Sequence, residues 1–512
     1  MRADFLLPDR DTPFLFPPSV QDWLPQDHLA RFIVDIVAQF DLSSLRSSYA
    51  GRGSTPYDPS MLLALIVYGY ATGVSSSRKL EQATYDSVAF RYITGNQHPD
   101  HDTISSFRQR FSTEVKEHFT RVLVIAAEMG LMRLGSVSLD GTKIKANASK
   151  HQAMSWQHAC TLEKKLRAEV EQLWLLADQA DASSQSDGMS IPEELALRQK
   201  RLETIAEVKK KIEQRARERY EQEQQAYEEK IAKREQQRKN GKKGGGKPPK
   251  APEQGPRPKD QVNLTDEESR IMPASGGGFM QAYNAQACVD IATLLIVASY
   301  MTQKPNDRQQ IEPAIAELAK LPESLGQVKE VIADTGYFSA ANVNACQKVG
   351  VDPLIAVSRE AHNQSLEQRL SKPKPVAADA DAVTRMKHRL QTTEGKATYA
   401  RRKCTVEPVF GIIKSVLGHR HFLRRGFRNA QSEWDLISMA WNLKRMHVLA
   451  KPSPKKVEAA ACKAKSTLRG KQTVLFQRIF TLKPITEFKM SAQSVIRLLF
   501  STGMSVASPT GC

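Results

Sequence analysis

The chain reads as an α/β protein: a mixed sheet flanked by helices, with a helical N-terminal domain and a long helical insert. Three observations predict it. Two short apolar runs, in SVSLDGTKIKANASK and VKEVIADTGYFSAANV, each lead to an aspartate beside a glycine, where an α/β sheet displays functional groups. Leu29 to Phe40 and Pro59 to Tyr70 carry apolar residues at helical spacing. Between the two aspartates lies a stretch dense in Glu, Lys, Arg and Gln with only a thin apolar stripe.

Residues 1–130 form the helical N-terminal domain. After the two helices above, Ser77 to Ala83 begins another, and Asp102 to Phe111 a further one, with Asp102 or Thr103 as cap. Short helices with tight turns fit a helix-turn-helix-like DNA-binding module; physics alone allows a plain helical bundle equally. HPDHD at 98–102 has the residue types of a metal cluster, but no further His or Cys nearby completes four ligands, so a loop ending in a helix cap is the expectation.

Residues 131–150 supply the first strands of the core. Asp140 ends a short β-like run, and Gly141 and a second extended stretch follow. Residues 151–262 are the insert. Leu195, Leu202, Ile205, Val208, Ile212 and Ala216 form the stripe of a long charged helix, read as one arm of a hairpin broken at DASSQSDGMSIP, with Pro192 opening the second arm. The stripe is thin for a coiled coil. RKNGKKGGGKPPKAPEQGPRPKDQ, 238–261, reads as a flexible basic linker. Too apolar-poor to form a core of its own, the insert is expected to project as an arm whose stripe packs on a second protomer or on DNA; a solvated spacer is the alternative. It either interrupts the sheet between its first two strands or divides two independent domains.

Residues 263–450 complete the core. Phe279 to Val289 and Leu294 to Met301 read as adjacent strands. Tyr283, Asn284 and Gln286 suit substrate contact or strand-surface packing equally. Asp290 reads as a hairpin-turn residue and Asp307 as the cap of a helix near Arg308. Val328 to Ala333 is a buried strand leading to Asp334, a Thr-Gly turn and a helix. Residues 352–357 give another strand, and 360–398 a polar connection. The basic tail, 451–512, has no assigned role, though Ser491 to Leu499 has helical character.

Glu407 opens a short amphipathic helix with Val409, Phe410, Ile413, Val416 and Leu417 on its buried face, Thr405 as cap and Pro408 in its first turn. Lys414 follows two turns later on the face of Glu407. Between Lys396 and Arg428 there are nine Lys or Arg and one acid, which suits a metal ligand facing a polyanion as well as a solvated basic helix. Each aspartate alone is more often a turn or cap residue. Together, Asp140, Asp334 and Glu407 give three hard oxygen ligands, the chemistry Mg²⁺ prefers.

The formal charge of +18 and pI near 9.5 point to a polyanionic partner, nucleic acid being the usual one. At 512 residues the chain can carry two or three modules. Met61 to Val74 and Ile291 to Met301 are too short to span a bilayer, and MRADFLLPDRDTPFLFPP lacks a secretory pattern, so no membrane partner and a cytoplasmic location are expected. The six scattered cysteines include no Cys-x-x-Cys pair, which argues against a zinc ribbon and a disulfide framework.

The segments YDPSMLLALIVYGYATGVSSSRKLEQA, PDHDTISSFRQRF, SLDGTKIKANAS, GGFMQAYNAQACVD, VIADTGYFS and VEPVFGIIK, in this order, resemble a bacterial insertion-sequence transposase of the DDE type. The resemblance reaches from the N-terminal region to about residue 448, leaving out the insert and the tail. It implies a ribonuclease-H-like core in which Asp140, Asp334 and Glu407 match the catalytic acids and Lys414 the lysine of a Tyr-Arg-Glu-Lys signature. Tyr399 and Arg402 resemble its Tyr and Arg one residue out of the usual spacing, with Lys403 at the expected Arg position. The resemblance further implies two Mg²⁺ ions, with Mn²⁺ as a substitute, Asp140 bridging both and Asp334 and Glu407 each completing one shell. The substrate would be double-stranded DNA, as terminal inverted repeats and target, handled by a nucleoid-associated homodimer or larger multimer. Arg401, Arg402, Lys403, Lys414, Arg424 and Arg425 would hold backbone phosphates, with Tyr399 a further DNA-binding residue. A ribonuclease-H-like nuclease without strand transfer and a non-catalytic DNA-binding protein are the other classes these residues allow.

Overall fold

The computed structural model describes residues 19–49, 55–182, 190–240, 248–274, 276–357, 375–376 and 380–451. The helix expected at Ser491 to Leu499 with the rest of the tail, the hairpin break at 183–189, the Gly-Lys run 241–247 and most of the polar connection at 358–379 lie outside the described residues.

Strand β1 (Ser136–Lys145) is the centre of the sheet because both of its edges are paired. On one side β5 (Phe279–Asp290) runs antiparallel, from Val137 opposite Asp290 to Lys145 opposite Ala282. On the other, β7 (Glu330–Ala333) runs parallel, and β8 (Asp352–Ile355) extends the parallel half. The outer edge of β5 is shared by β4 (Arg270–Pro273) and β6 (Ile296–Thr302). This mixed order is ribonuclease-H-like. The β5–β6 turn is the expected one: Asp290 accepts from Thr293 N and Oγ1 at 2.9 and 2.6 Å. One expectation changes. Asp140 does not end a strand, because the ladder with β5 continues across it and Gly141, which faces Gln286.

Among the described residues, seven α-helices precede the sheet: α1 (Leu29–Val37), α2 (Ser43–Ser47), α3 (Pro59–Thr72), α4 (Ser77–Asp86), α5 (Val88–Thr94), α6 (His101–Phe111) and α7 (Val115–Glu128). Helix α3 starts where Asp58 accepts from Ser60 N at 2.7 Å and Pro59 fills the first position. It ends at Gly73, whose φ of +86° a side chain would strain and whose missing Cβ would lie 2.9 Å from Leu417 O. Nearly every α3 residue is buried, against α1, α5 and the long helix α15 (Phe427–Ala450). Among the described residues no single helix is long and apolar enough to cross a membrane. The α6 cap is Asp100, which accepts from Thr103 N at 2.6 Å, rather than Asp102 or Thr103. In the same loop His98 bonds Thr84 and stacks on Tyr85, and His101 pairs with Glu81; HPDHD is a capped loop.

The sheet, the N-terminal helices and α15 share one hydrophobic core. Helices α10 (Ile311–Leu318), α11 (Ala340–Lys348), α12 (Ala382–Gln391) and α13 (Thr393–Ala400) cover the remaining strands.

The insert is a helical hairpin of α8 (Trp156–Ala182) and α9 (Ile191–Lys239), with Pro192 in the first turn of α9. It rises from a ribbon of β2 (Ala153–Ser155) and β3 (Gln261–Asn263), where Ser155 is paired with Gln261. The stripe is not left for a partner. Ile205 packs with Ala159 and Leu166, while Val208 and Ile212 pack with Val262 beside Trp156 and Leu264. The insert therefore has two small cores of its own, because α8 and the ribbon supply the apolar side chains that α9 lacks. The described part of the basic linker is tied to α9: Arg219 Nη1 lies 2.7–2.8 Å from both Asp260 oxygens, and Arg257 pairs with Glu223.

Because the ribbon brings Ser155 opposite Gln261, residues 157–259 can be replaced by a short Gly-Ser bridge. Circular dichroism should then show a single cooperative thermal transition, with Tm shifted by no more than about 5 °C. Loss of cooperativity would show that the sheet leans on the hairpin.

Candidate active site

The three acids come from three separate elements. Leu139 pairs with Ala333 in parallel register, so Asp140 on β1 and Asp334 just after β7 are next neighbours across the sheet. Asp334 caps the 3₁₀ turn Thr335–Tyr337 by accepting from Gly336 N at 2.8 Å. Glu407 stands in the first turn of α14 (Val406–Gly411), entered through a 3₁₀ turn at Arg401–Cys404. Pro408 occupies that first turn as expected. Thr405 does not cap it: its hydroxyl donates to Arg401 O at 2.7 Å instead.

Arg402 joins the acids. Its Nη1 lies 3.3 Å from Asp140 Oδ2 and its Nη2 2.9 Å from Glu407 Oε1. Asp334 lies within electrostatic reach of the same guanidinium. The Arg402 side chain is only 13 % exposed, and its buried Nε has no partner among the described residues. Burial pushes the Asp140 carboxyl up to about 7. The negative charges of Asp334 and Asp307 add to that, while the Gly141 N–H, 2.8 Å from Oδ1, and Arg402 oppose it.

Behind Asp140 lies a polar network. Asp307 Oδ1 accepts from Asn284 Nδ2 at 2.8 Å and Gln286 Nε2 at 2.7 Å, and Tyr337 donates to Gln286 Oε1 at 2.5 Å. Asn284 and Gln286 are alternate residues of β5 and so share one face, opposite Gly141. A Cβ on Gly141 would overlap Gln286 Nε2 and lie 2.8 Å from Asp307 Oδ1. Asp307 is thus not a helix cap. Its carboxylate reaches the site, while Gln310 holds the N-cap position of α10. Tyr283 faces elsewhere, its hydroxyl 2.9 Å from Asp266 Oδ1.

The expected cations divide into groups. Tyr399 packs on the Ile291, Ile332 and Leu354 cluster within electrostatic reach of Arg402. Lys403 is exposed on the same turn as Arg402. Lys414 Nζ lies 2.9 Å from Thr142 Oγ1, and burial lowers its pKa, so its ammonium holds β1 two residues from Asp140. The helix widens to a π turn over Ile412–Val416, which breaks the regular spacing: Val416 turns outward and is 71 % exposed, while Val409, Phe410, Ile413 and Leu417 stay buried. Arg424 and Arg425 are not brought to the acids. They follow Phe422, near Asn147 at the far end of β1, where Asn147 Nδ2 donates to Leu423 O at 2.7 Å.

Among the described residues no three His, Cys, Asp or Glu side chains are arranged to hold a metal ion as they stand. The donor set nevertheless fits a hard divalent cation. It consists of carboxylate oxygens, and a guanidinium already lies between two of them, where positive charge is required. The four described cysteines, Cys160, Cys288, Cys346 and Cys404, are free thiols.

Asp307 is the residue that sequence reasoning missed. The available signal was the pair Asn284 and Gln286: two amides on one face of a buried strand require a polar partner.

Residues 18–110 match the family described as Transposase domain (DUF772), and residues 247–443 match the family described as Transposase DDE domain. No curated protein and no solved structure matches the chain.

The raised carboxyl of Asp140 has a testable consequence in the metal-free protein. A group that binds its proton more tightly when folded contributes stability below its unfolded pKa, and that contribution is lost as pH rises through about 7. Asp140→Asn should therefore stabilise the metal-free protein by about 2–3 kcal/mol more at pH 8 than at pH 5, read by urea unfolding. An equal effect at both pH values would mean that ionised Asp140 is not strained by burial.

Proposed function

Because the chain belongs to the insertion-sequence transposases of the DDE type, we propose that it cleaves and joins DNA strands at the ends of its element, with Asp140, Asp334 and Glu407 as metal-holding catalytic acids. The observation that carries this reading is Arg402: one guanidinium spans Asp140 and Glu407, beside Asp334, so acids from positions 140, 334 and 407 share one place and need a cation.

A divalent ion held there, Mg²⁺ or its substitute Mn²⁺, would supply Lewis-acid polarisation of a phosphate oxygen and acidification of water or a DNA 3′-OH. The chain's own residues do the rest. Asp140 must lose its proton for its oxygens to coordinate, so affinity for the ion falls as the medium acidifies. Arg402 must give up Glu407, and its released guanidinium can then take a phosphate oxygen. Lys414 fixes β1 through Thr142, and the Asp307 network fixes the neighbouring face of β5. Lys403, on the exposed side of the same turn, offers a second phosphate contact.

The substrate is double-stranded DNA, as terminal repeat and then as target, and joining two ends requires a dimer or larger assembly on nucleoid DNA in the cytoplasm.

Asp140→Asn, Asp334→Asn and Glu407→Gln should each reduce metal-dependent cleavage of an element-end duplex by at least about 10³-fold. DNA binding measured by anisotropy should change little, since each substitution removes a charge but keeps the shape. A variant that still cleaves would remove that acid from the reading. Cleavage without joining by the wild-type protein would point to a hydrolytic nuclease.

A further inference from the structure

A cleft of about 1380 Å³ opens where α4 and α6 meet the turn after Phe422. Five arginines line it, Arg78, Arg108, Arg424, Arg425 and Arg428, against a single acid, Asp102. So strong an excess of one charge on facing walls focuses a positive potential into the gap.

The walls are fastened rather than loose. Glu433, buried on α15, accepts from Leu423 N at 3.0 Å and Arg424 N at 3.0 Å, and Tyr70 donates to it at 3.3 Å. Asn429 Nδ2 donates to Arg425 O at 2.9 Å, while Arg424 Nη2 donates to Asn429 Oδ1 at 2.7 Å. The turn is therefore fixed before any ligand arrives. Across the gap Arg108 is 92 % buried; its Nη2 donates to Ser75 O at 2.9 Å and its guanidinium lies over Tyr70. Its Nε is buried with no partner among the described residues, a donor left unused at the cleft wall. Beside it Ser76 holds the N-cap of α4 without a side-chain capping bond, so the positive end of that helix borders the cleft.

We propose that this cleft clamps the sugar–phosphate backbone of duplex DNA leading to the acids, so that the N-terminal helices α4 and α6 and the Arg424–Asn429 turn act as one phosphate-binding surface. The proposal rests on the DNA-cleaving reading above for its substrate. Three features favour a backbone. The cleft is far larger than one phosphate. Its charged donors are guanidiniums, which pair with phosphate oxygens in bidentate fashion. It also lies along and just beyond β1 from the acids: the seven residues from Asp140 to Asn147, at about 3.3 Å each, span at most about 23 Å, or roughly seven base pairs of duplex.

The test uses full-length protein and a 40-base-pair duplex from one end of the element. The combined substitution Arg78→Ala, Arg425→Ala and Arg428→Ala should flatten the salt dependence of binding, read by anisotropy, by about two to three units of slope, and the triple Lys version should restore most of it. A photo-crosslinker at the exposed Gln109 should attach to DNA about seven base pairs from the cleaved phosphate. An unchanged slope or no crosslink overturns the clamp. The two readings fail separately. An Asp140→Asn protein that still cleaves, with a flattened slope in the triple-Ala variant, removes the acid and leaves the clamp standing; a triple-Ala variant that cuts and binds with the wild-type slope removes the clamp and leaves the acids standing.

Discussion

Helix α15 is buried along most of its length between β6 on one side and α3 and α7 on the other. Its polar side chains make that burial possible. Asn442 accepts from Ile296 N at 2.8 Å and donates to Ile296 O at 2.7 Å, and Gln431 accepts from Met301 N at 2.6 Å, so the outer edge of β6 finds in a helix the partners that another strand would have provided. Trp434 and Trp441 donate to Gln286 O and Leu294 O. Each such group left bare would cost about 1–3 kcal/mol. Lys116 of α7 closes the arrangement at 3.0 Å from Glu317 and 3.6 Å from Asp435, setting a cation among buried acids of two other helices. The helical N-terminal region meets the sheet through this helix and through direct contacts such as Lys116 Nζ with Ser299 O at 2.6 Å.

The acids obey the opposite logic. Asp140 on β1 has Asp334, just after β7, beside it and Asp307 behind it. Burial first, and the neighbouring acids after it, raise the Asp140 carboxyl, and Arg402 lies between Asp140 and Glu407. A stable resting protein would neutralise this cluster permanently. Here one arginine on a short 3₁₀ turn spans Asp140 and Glu407. Under the proposed function the strain is the source of affinity for a divalent cation.

The helical hairpin has its own economy. It leaves the sheet through two facing ribbon strands and buries its stripe internally, so it adds length without demanding anything of the core. Lys209 with Glu163 at 2.7 Å is a part-buried ion pair of the hairpin, whereas Lys165 with Glu169 at 3.8 Å is more exposed and contributes little.

Much of the fold was written in the sequence. The Pro59 start of α3, the adjacent runs of β5 and β6 and the Pro192 opening of α9 are local signals, because φ restriction and run length act within a few residues. Asp140 and Asp334 stood out as aspartates after short apolar runs, and Glu407 as the one acid opening a helix among nine Lys or Arg. What only the tertiary structure decided were relations between distant residues. Gln286 and Asn284 drew Asp307 away from capping; Lys414 went to Thr142; the π turn put Val416 in solvent; α8 and the ribbon covered the stripe of α9; and Arg402, one residue out of its usual spacing, took the place between two acids. A buried polar group or charge takes whichever partner the packed chain brings within about 3 Å, and sequence separation says nothing of that distance.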